Sequence, residues 1–476
     1  MKKIPGILRS SASMTLARVL SSVCSFALFW FIAQKSVRDL GAFRTILVFF
    51  LFTEFLPLLG ANQLVIREVS ISRNPVKKYL MHSFIFSLPV SLVVSSALVL
   101  LGMYGKYSLT ISKGLIILSF GMPATSMVTC AQSVLIGVGR GDLFGIIQSL
   151  EAVVRTLTGI FLLFLGHGIL SIVVSFVLIR WSIIIFYWLS LNTHLKPGKW
   201  NIDLGFFKEF VWEVPPFAGI LLCYVVLRFA PQIMLPWMKG EVAAGHFAVA
   251  FQFLDLALLA PTAFAVNLMP LFAQRAQVSI SSLVDISHQA IKIVSLIILA
   301  GVATVFIVAQ PLVLTVFGGK YIQSVPVLKV LIWVAIILSI DQVLAMATIA
   351  SKNQIYDLLT LCIGGFVTVI LLYFLISQKG ALGAAEGYLL GTSVLLICRV
   401  FLAKKFMPGL NPVLQLWRPI LAVTIVICIG HILNCYWLLS LLVGIGTYVL
   451  SVFVLGALKG SERIAMKRLL CSTVER

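Results

Sequence analysis

The chain is built from long apolar runs separated by short polar connectors, and this pattern continues from its first residues to its last. An apolar run of roughly 20 residues is long enough to cross the hydrocarbon core of a bilayer as a helix. Read with such a window, the sequence predicts about fourteen spans. Their approximate limits are 11–34, 42–65, 80–103, 115–138, 143–166, 168–192, 210–237, 244–271, 288–312, 325–350, 355–377, 383–403, 413–433 and 436–458. We therefore expect an all-α polytopic membrane protein.

The longest hydrophilic stretch divides the first twelve predicted spans into six and six. The two halves repeat weakly at a constant spacing of 204 residues: Lys35, Gly41, Phe43 and Pro57 recur as Lys239, Gly245, Phe247 and Pro261. Because six is an even number, both halves begin on the same side, which predicts parallel repeats related by a pseudo-two-fold axis along the membrane normal. The expected organisation is a six-helix bundle over 1–193, a cytoplasmic connector over 194–209, a second six-helix bundle over 210–405, and an additional helix pair and cytoplasmic tail over 406–476.

The composition excludes a soluble domain, and most of the basic residues lie in the connectors between the predicted spans. Hydrophobic residues make up 60% of the 476 positions and charged residues 11%, whereas soluble domains are nearer half apolar and a quarter charged. The net charge of +20 lies mainly in short connectors, with more Lys and Arg on the side that carries both termini. The positive-inside rule therefore predicts cytoplasmic termini. Anionic lipid head groups explain this basic charge, and nucleic acid is not an expected partner.

Neither a metal site nor a nucleotide site is predicted. The eight cysteines show no CxxC spacing and fall mostly inside apolar runs, where cysteine behaves as a small hydrophobic residue. The sequence Gly137-Val138-Gly139 lacks the Lys-Ser/Thr that completes a phosphate-binding loop. We expect no cofactor and no enzymatic activity, and any chemistry has to occur within the membrane or at its surfaces.

Ionisable residues inside the predicted spans are the candidate site. A charge facing lipid at the bilayer centre costs about 3 kcal/mol or more, so such groups are expected to face the protein interior or a wet cavity. Arginine stays protonated and grips phosphate oxygens with a bidentate fork, while a carboxylate in a low dielectric can bind a proton or sodium ion. The candidate substrate-binding residues are Arg18, Arg155, Arg180 and Arg228, and the candidate ion-coupling residues are Glu54, Glu151, Asp255 and Asp341.

Each candidate also has a purely structural interpretation. Glu151 and Arg155 are spaced i,i+4 and could neutralise each other along one helix. Arg18 could reach the interface by extending its side chain, and Arg228 could belong to an ion pair. The acids could likewise pair with the arginines and hold helices together. The sequence leaves these alternatives open.

The chain resembles the O-antigen (Wzx-type) polysaccharide flippases of the multidrug/oligosaccharidyl-lipid/polysaccharide (MOP) exporter superfamily in length, span number and spacing. The resemblance is clearest from Asp39-Leu40-Gly41-Ala42-Phe43 to Arg67-Glu68-Val69-Ser70, and from Pro215 through Gly245-His246-Phe247 to Pro270. The segment 14–20 is similar to the first-helix arginine motif of the lipid II flippases. The resemblance implies two six-helix bundles around a central cavity, ion coupling, a location in the bacterial inner membrane, and O-antigen assembly proteins as partners.

The function expected from this resemblance is movement of a polyprenyl-diphosphate-linked oligosaccharide from the cytoplasmic to the periplasmic leaflet, by alternating access. Two alternatives stay open. A cation-coupled drug or metabolite antiporter of the same superfamily would share the fold, although a cationic cavity repels organic cations. A membrane glycosyl polymerase or ligase would need a substantial periplasmic loop, and no predicted outer loop reaches that size.

Overall fold

The computed structural model describes residues 4–71, 76–194, 203–412, 415–417, 420–421 and 423–424. Regular structure in these residues is helical, without a strand, which confirms the all-α class. The helices are α1 (Ile4–Lys35), α2 (Val37–Glu54), α3 (Ala61–Ile71), α4 (Val76–Tyr104), α5 (Leu109–Ser119), α6 (Met122–Gly137), α7 (Gly141–Phe164), α8 (Ile169–His194), α9 (Leu204–Glu213), α10 (Pro215–Val278), α11 (Ile280–Phe317), α12 (Ser324–Ala350), α13 (Gln354–Lys379) and α14 (Ala381–Ala403), with a short 3-10 helix at Gly319–Tyr321.

The predicted spans before residue 404 all fall on helices, but three of them are broken. Span 210–237 crosses the bend at Val214 between α9 and α10. Span 42–65 covers α2 and α3, which are separated by a turn where Leu59 and Gly60 have φ values of 46° and 82°. Span 115–138 covers α5 and α6, which bend by 53°. Within the described residues, nine helices are long and apolar enough to cross a membrane, or ten if the bent pair counts as one span. The predicted spans 413–433 and 436–458 lie almost wholly outside the described residues.

Predicted spans seven and eight are joined in α10. Its 64 residues would extend about 95 Å at 1.5 Å per residue, three times the thickness of the hydrocarbon core. The helical geometry is interrupted at Gly240, with φ 80° and ψ −176°, a conformation that is open to glycine because it has no Cβ. Gly240 falls in the predicted connector between the two spans, so α10 has the length and the break that two crossings require.

The chain divides into two compact units, Met1–Ala248 and Val249–Arg476. This boundary lies inside α10, whereas the six-plus-six division predicts a boundary at the connector 194–209, so the predicted bundles stay a prediction. In the first unit, α1 packs on α7, and α4 packs on α5 and α6. A buried apolar cluster that includes Leu64, Val134 and Tyr187 packs between α3, α6 and α8.

The second unit is organised around α12, which packs on α11 and α14, while α13 packs along α14. The last pair approaches closely because small residues line it: a Cβ at Gly383 would overlap the carbonyl oxygen of Leu375, and one at Gly391 would overlap the Thr368 side chain. Without strong apolar contrast between protein and lipid, such close backbone packing is a main source of helix association in membranes.

Polar side chains cap the N-termini of three helices, α2, α5 and α9. Ser36 caps α2 by accepting a hydrogen bond from the Asp39 amide, Ser108 caps α5, and Asp203 caps α9 by accepting from the Phe206 amide. Each satisfies a backbone donor that the first helical turn leaves without an intrahelical partner.

Candidate functional site

Two groups of interacting charges lie within the helices, one in each unit. The N-terminal charge cluster consists of Glu54, Glu151, Arg155 and Arg180. The C-terminal charge cluster consists of Asp341, Asp357 and Arg399. Because a charge inside the membrane is costly unless it has a partner or water, such groups mark either helix–helix joints or a pathway for polar substrates.

Arg180 holds the N-terminal charge cluster together. It lies mid-way along α8, and its Nη1 donates to both carboxylate oxygens of Glu151 on α7, at 2.8 and 3.0 Å. Its Nη2 donates to Glu54, the last residue of α2. The side chains of Arg180 and Glu151 are 3% and 5% exposed. Arg180 therefore joins α8 to α7 and α2, and the Arg180–Glu151 pair is enclosed by protein.

Arg155 forms the more open side of the same cluster. It lies one turn beyond Glu151 on α7, with its Nη1 3.6 Å from a Glu151 oxygen, which is longer than a hydrogen bond. Its guanidinium lies over the ring of Phe176 at 4.2 Å and near that of Phe50 at 5.2 Å. Arg155 is 21% exposed and Glu54 is 28% exposed. The cluster thus presents one cation and one carboxylate on its accessible side.

The aromatic rings hold Arg155 without using its hydrogen-bond donors. A guanidinium over a ring is attracted to the π face, and this contact uses none of its N–H groups, which stay available to oxygen acceptors. Arg180, in contrast, is committed to two carboxylates. Arg155 is therefore the member of the cluster that is best suited to bind an incoming phosphate.

The C-terminal charge cluster is buried and unbalanced. Arg399 on α14 donates from Nε to Asp341 on α12 at 2.6 Å, and from Nη1 to Asp357 in the first turn of α13. All three residues are buried. Two carboxylates face one guanidinium, so the cluster carries one negative charge in excess. Such a site gains by binding one proton or one monovalent cation.

The described residues contain no group of three or more His, Cys, Asp or Glu that could hold a metal ion. Arg399 instead occupies the position between the two carboxylates of the C-terminal charge cluster. The Arg399 guanidinium therefore supplies the positive charge between these carboxylates.

The structure brings together some of the predicted site residues and separates others. Glu54, Glu151, Arg155 and Arg180 form one cluster, and the predicted i,i+4 pairing of Glu151 with Arg155 is present as the longer of the two Glu151 contacts. Asp341 belongs to the other cluster. Arg18 is exposed, and Arg228 and Asp255 are partly exposed residues of α10. These three are not members of either cluster.

Sequence analysis missed Asp357 and Arg399 because both lie close to the ends of predicted spans, where charges usually reach the interface. It also missed Arg44, two residues into the span 42–65. Arg44 is buried and donates from Nε to the Gln232 side-chain oxygen at 2.8 Å. Both line a small cavity, together with Thr45 and Ala248. The signal that could have found these three residues is a charged side chain within the predicted limits of a span, even close to its end.

The N-terminal part of the chain matches a known family, and the fold matches solved transporters. The family model described as polysaccharide biosynthesis protein matches residues 7–276. No curated protein sequence matches the chain significantly. The structure is similar to that of the lipid II flippase MurJ in an inward closed conformation, with a TM-score of 0.76 and 14% identity, over 94% of this chain and 98% of that one.

Multidrug resistance MATE family transporters of the MOP superfamily are also similar in fold. An inward-facing structure gives a TM-score of 0.66 at 14% identity, covering 82% of this chain and 95% of that one. An outward-facing structure gives 0.61 at 15% identity, covering 85% and 96%. At such identities the likeness establishes the fold alone. It confirms a multi-pass membrane protein with this transporter fold. Together with the family model, which matches more than half of the chain, it confirms the predicted superfamily.

Proposed function

Because the chain belongs to the polysaccharide biosynthesis protein family, we propose that it is a flippase for a polyprenyl-diphosphate-linked oligosaccharide of the O-antigen repeat-unit type. The substrate moves from the cytoplasmic to the periplasmic leaflet of the bacterial inner membrane, where both termini of the chain face the cytoplasm. The fold shared with a structure named as a lipid II flippase supports transport of a lipid-linked substrate. The N-terminal charge cluster supports a substrate with an anionic group.

The observation that carries the proposal is the partly exposed guanidinium of Arg155, which lies over the Phe176 ring, beside the partly exposed carboxylate of Glu54. A diphosphate leaving water needs cations that replace its hydration, and an arginine fork supplies two parallel donors. Arg155 meets the diphosphate first. The phosphate oxygens then compete with Glu54 for the Nη2 of Arg180, while Glu151 keeps Arg180 in place.

The charge balance of the N-terminal charge cluster favours reversible binding. Two carboxylates and two guanidiniums neutralise each other in the absence of substrate. The net charge of the site is then zero, so its affinity for anions is moderate. When Glu54 moves away from Arg180, one guanidinium becomes available to the substrate. Transport requires release as well as binding, and this exchange supplies both. Arg18 and Arg228 stay proposed as further contacts to phosphate or acidic sugars.

Ion coupling belongs, in this proposal, to the C-terminal charge cluster. Its excess carboxylate is neutralised when one proton or one sodium ion binds, and the cost of its burial then falls. Asp341 was a predicted coupling residue, and Asp357 shares its arginine. Glu54 and Asp255 stay candidates for the same task. Glu151, with both oxygens on Arg180, is a weaker candidate because its charge is already matched.

The experiment uses proteoliposomes that contain the full chain and a polyprenyl-diphosphate oligosaccharide. The glycan that becomes accessible to an impermeant reagent is followed over time, with and without an imposed proton or sodium gradient. Arg155→Ala should slow glycan exposure by about 10- to 100-fold, the value of a charge-assisted hydrogen bond. Arg155→Lys keeps the charge but loses the fork and should be intermediate.

Arg67→Ala is the matched control, because Arg67 is half-exposed and pairs with Glu68 and Glu213 away from the cluster. It should transport like the parent protein. Equal glycan exposure in Arg155→Ala and in the parent would contradict the assigned role of Arg155. Gradient-driven export of small organic cations without glycan movement would instead support the antiporter, which shares the MATE fold.

A further inference from the structure

The chain segment 404–411, which follows α14, packs against the ends of other helices of the second unit; we call it the lid segment. Its Met407 and Leu410 are buried in an apolar cluster that also contains residues of α10, α11 and α12. Its Phe406 stacks on Tyr356 in the first turn of α13, with the ring centroids 5.3 Å apart. The lid segment is therefore held by apolar contacts with several helices.

The lid segment lies next to the C-terminal charge cluster. Asp357 directly follows Tyr356 in the first turn of α13, and Arg399 lies one turn before Ala403, where α14 ends. Both helix ends belong to the face predicted to be cytoplasmic. The lid segment thus lies between the cluster and that face, and it closes the route along these two helix ends.

A histidine on α11 ties down the end of the lid segment. The backbone amide of Asn411 donates a hydrogen bond to Nε2 of His288 at 2.9 Å. Only the neutral imidazole has a ring nitrogen that can accept, so the ring carries its hydrogen on Nδ1 in this contact. Protonation of His288 puts a hydrogen on Nε2, which then faces the Asn411 N–H group. The contact therefore requires the neutral ring.

His82 makes a similar contact in the first unit, but it has a second partner. Its Nε2 accepts from the Asp203 backbone amide at 3.1 Å and also lies 3.0 Å from the Asp203 carbonyl oxygen. Its Nδ1 lies 2.7 Å from the Lys78 carbonyl oxygen. A protonated His82 can therefore donate to both carbonyl oxygens and keep its hold on Asp203.

The pH range of the His288 contact follows from its chemistry. The contact excludes one proton, so it is favoured above the ordinary imidazole pKa of about 6.5 and is lost as the pH falls below it. Carboxylates and amines outside the C-terminal charge cluster keep their charges in this range. On the surrounding elements these groups are Asp285 and Lys292 of α11, Arg275 of α10, Lys352 between α12 and α13, and Lys404 and Lys405 of the lid segment.

We propose that the lid segment covers the C-terminal charge cluster, that the His288–Asn411 hydrogen bond latches it, and that protonation of His288 releases it. The inference rests on the proposed coupling role of that cluster. A cation that leaves the cluster toward the predicted cytoplasmic face then passes beneath the lid segment. A more acidic cytoplasm makes this opening easier.

Amide hydrogen exchange of the full chain in lipid nanodiscs tests the latch. Exchange is followed by mass spectrometry between about pH 5 and pH 8, and each rate is divided by the intrinsic rate at that pH. Protection of the lid-segment amides should fall about fivefold toward acid, the equilibrium factor of one ordinary hydrogen bond. His288→Gln supplies a carbonyl oxygen that does not titrate, so protection of the same amides should not depend on pH in this variant.

Helix α9, held by His82, is the internal control. Its amides should keep their protection over the same pH range, because protonated His82 still has the Asp203 carbonyl oxygen as a partner. Constant protection of the lid segment in the parent would overturn the latch. So would an equal fall in α9, or a fall that persists in His288→Gln.

A cysteine behind the lid segment tests whether the segment covers the cluster. Thr360 is 1% exposed and donates to the Asp357 carbonyl oxygen. Thr360→Cys is labelled with an impermeant maleimide in inside-out vesicles at one neutral pH, and labelling of the chain without this reporter is subtracted. Adding His288→Ala should raise the rate about fivefold. Adding Gln289→Ala, at the exposed neighbouring position, should not. A rate that is unchanged in His288→Ala, or equally raised in both variants, would overturn the lid.

Both measurements are independent of substrate and of any ion gradient. If they respond as expected while Asp341→Asn keeps ion-dependent flipping, the lid stands and the coupling role of the cluster fails. If Asp341→Asn loses the ion dependence and neither measurement responds, the coupling role stands and the lid fails.

Discussion

The C-terminal charge cluster predicts an unusual order of stability among its own variants. Asp341 and Asp357 share Arg399, which leaves one negative charge in excess. Asp341→Asn brings the formal charge to zero, and Arg399→Gln doubles the excess to two negative charges. The double variant Asp341→Asn/Arg399→Gln has one excess negative charge, that of Asp357, like the parent, but no guanidinium to compensate it. We expect Asp341→Asn to be about as stable as the parent, the double variant to be weaker, and Arg399→Gln to be the weakest.

The magnitudes follow from burial. Removing one partner of a buried ion pair costs about 3–5 kcal/mol because the other charge stays behind without compensation. Arg399 is 2% exposed and serves two carboxylates, which places Arg399→Gln at the upper end of that range. Asp341→Asn loses a charge-assisted hydrogen bond worth about 1.5–3 kcal/mol, but it also removes an excess charge that costs about 3 kcal/mol inside a membrane. The two effects nearly cancel.

Thermal unfolding of the purified chain in one detergent is the assay, with tryptophan fluorescence as the signal. The order of the midpoints is compared, at one scan rate, because unfolding of a large membrane protein is governed by rates as well as by equilibrium. Lys379→Ala is the control: Lys379 is half-exposed and pairs with Glu386 at the end of α13, a surface contact worth less than about 1 kcal/mol.

The reasoning would be refuted if Asp341→Asn lowered the midpoint as much as Arg399→Gln does. The hydrogen bond from Arg399 to Asp341 would then determine the stability, and the excess negative charge would not contribute to it. A harmless Arg399→Gln would equally refute it, because two buried carboxylates would then have found other compensation.

Two further predictions follow from the first unit. Glu151→Gln should lower the unfolding midpoint more than Glu54→Gln, measured in the same detergent, because Glu151 is enclosed and gives two oxygens to its arginine while Glu54 is partly exposed. The hydrogen bond from Lys78 lowers the pKa of the Asp203 carboxyl below its ordinary value. The pair therefore stabilises the folded state at pH values above the unfolded-state pKa of about 3.9. This stabilisation is lost as the pH falls through the lower pKa of the folded state. The protection of the α9 amides, expressed relative to the intrinsic exchange rate at each pH, should therefore fall in acid, and Asp203→Asn should lose that pH dependence; an unchanged protection profile in the variant would contradict it.

Much of the fold follows from the apolar pattern, because only a closed set of backbone hydrogen bonds survives in lipid and a helix supplies it locally. The predicted spans up to residue 404 accordingly fall on helices. The breaks were less predictable. Leu59 is a non-glycine residue with positive φ; the flanking Pro57 and Gly60 are signals of a break, but they do not indicate that Leu59 itself adopts this conformation. The pattern also gave no sign that helical structure resumes directly after Gly240.

The site was predictable only in part, because ion pairs join residues that are distant in the sequence. The spacing of Glu151 and Arg155 shows the local contact. It does not show that Arg180 takes both oxygens of Glu151, since that depends on how α7 packs on α8. Arg399 finds its two carboxylates on two other helices. A single sequence lists the charges, and tertiary packing decides their partners.

The difference in charge balance between the two clusters suits two separate tasks, and one pair of variants can separate them. The N-terminal charge cluster is neutral and partly exposed, so its charge changes when an anion arrives; the C-terminal charge cluster is negative and enclosed, so its charge changes when a cation arrives. Asp341→Asn fixes the latter in its neutral form and should remove the ion dependence of glycan flipping while glycan-lipid binding persists. Arg155→Ala should weaken that binding, and the flipping that remains should still respond to the gradient. Binding is measured with the detergent-solubilised chain and flipping in proteoliposomes. Retained ion dependence in Asp341→Asn would return the coupling role to Glu54 or Asp255.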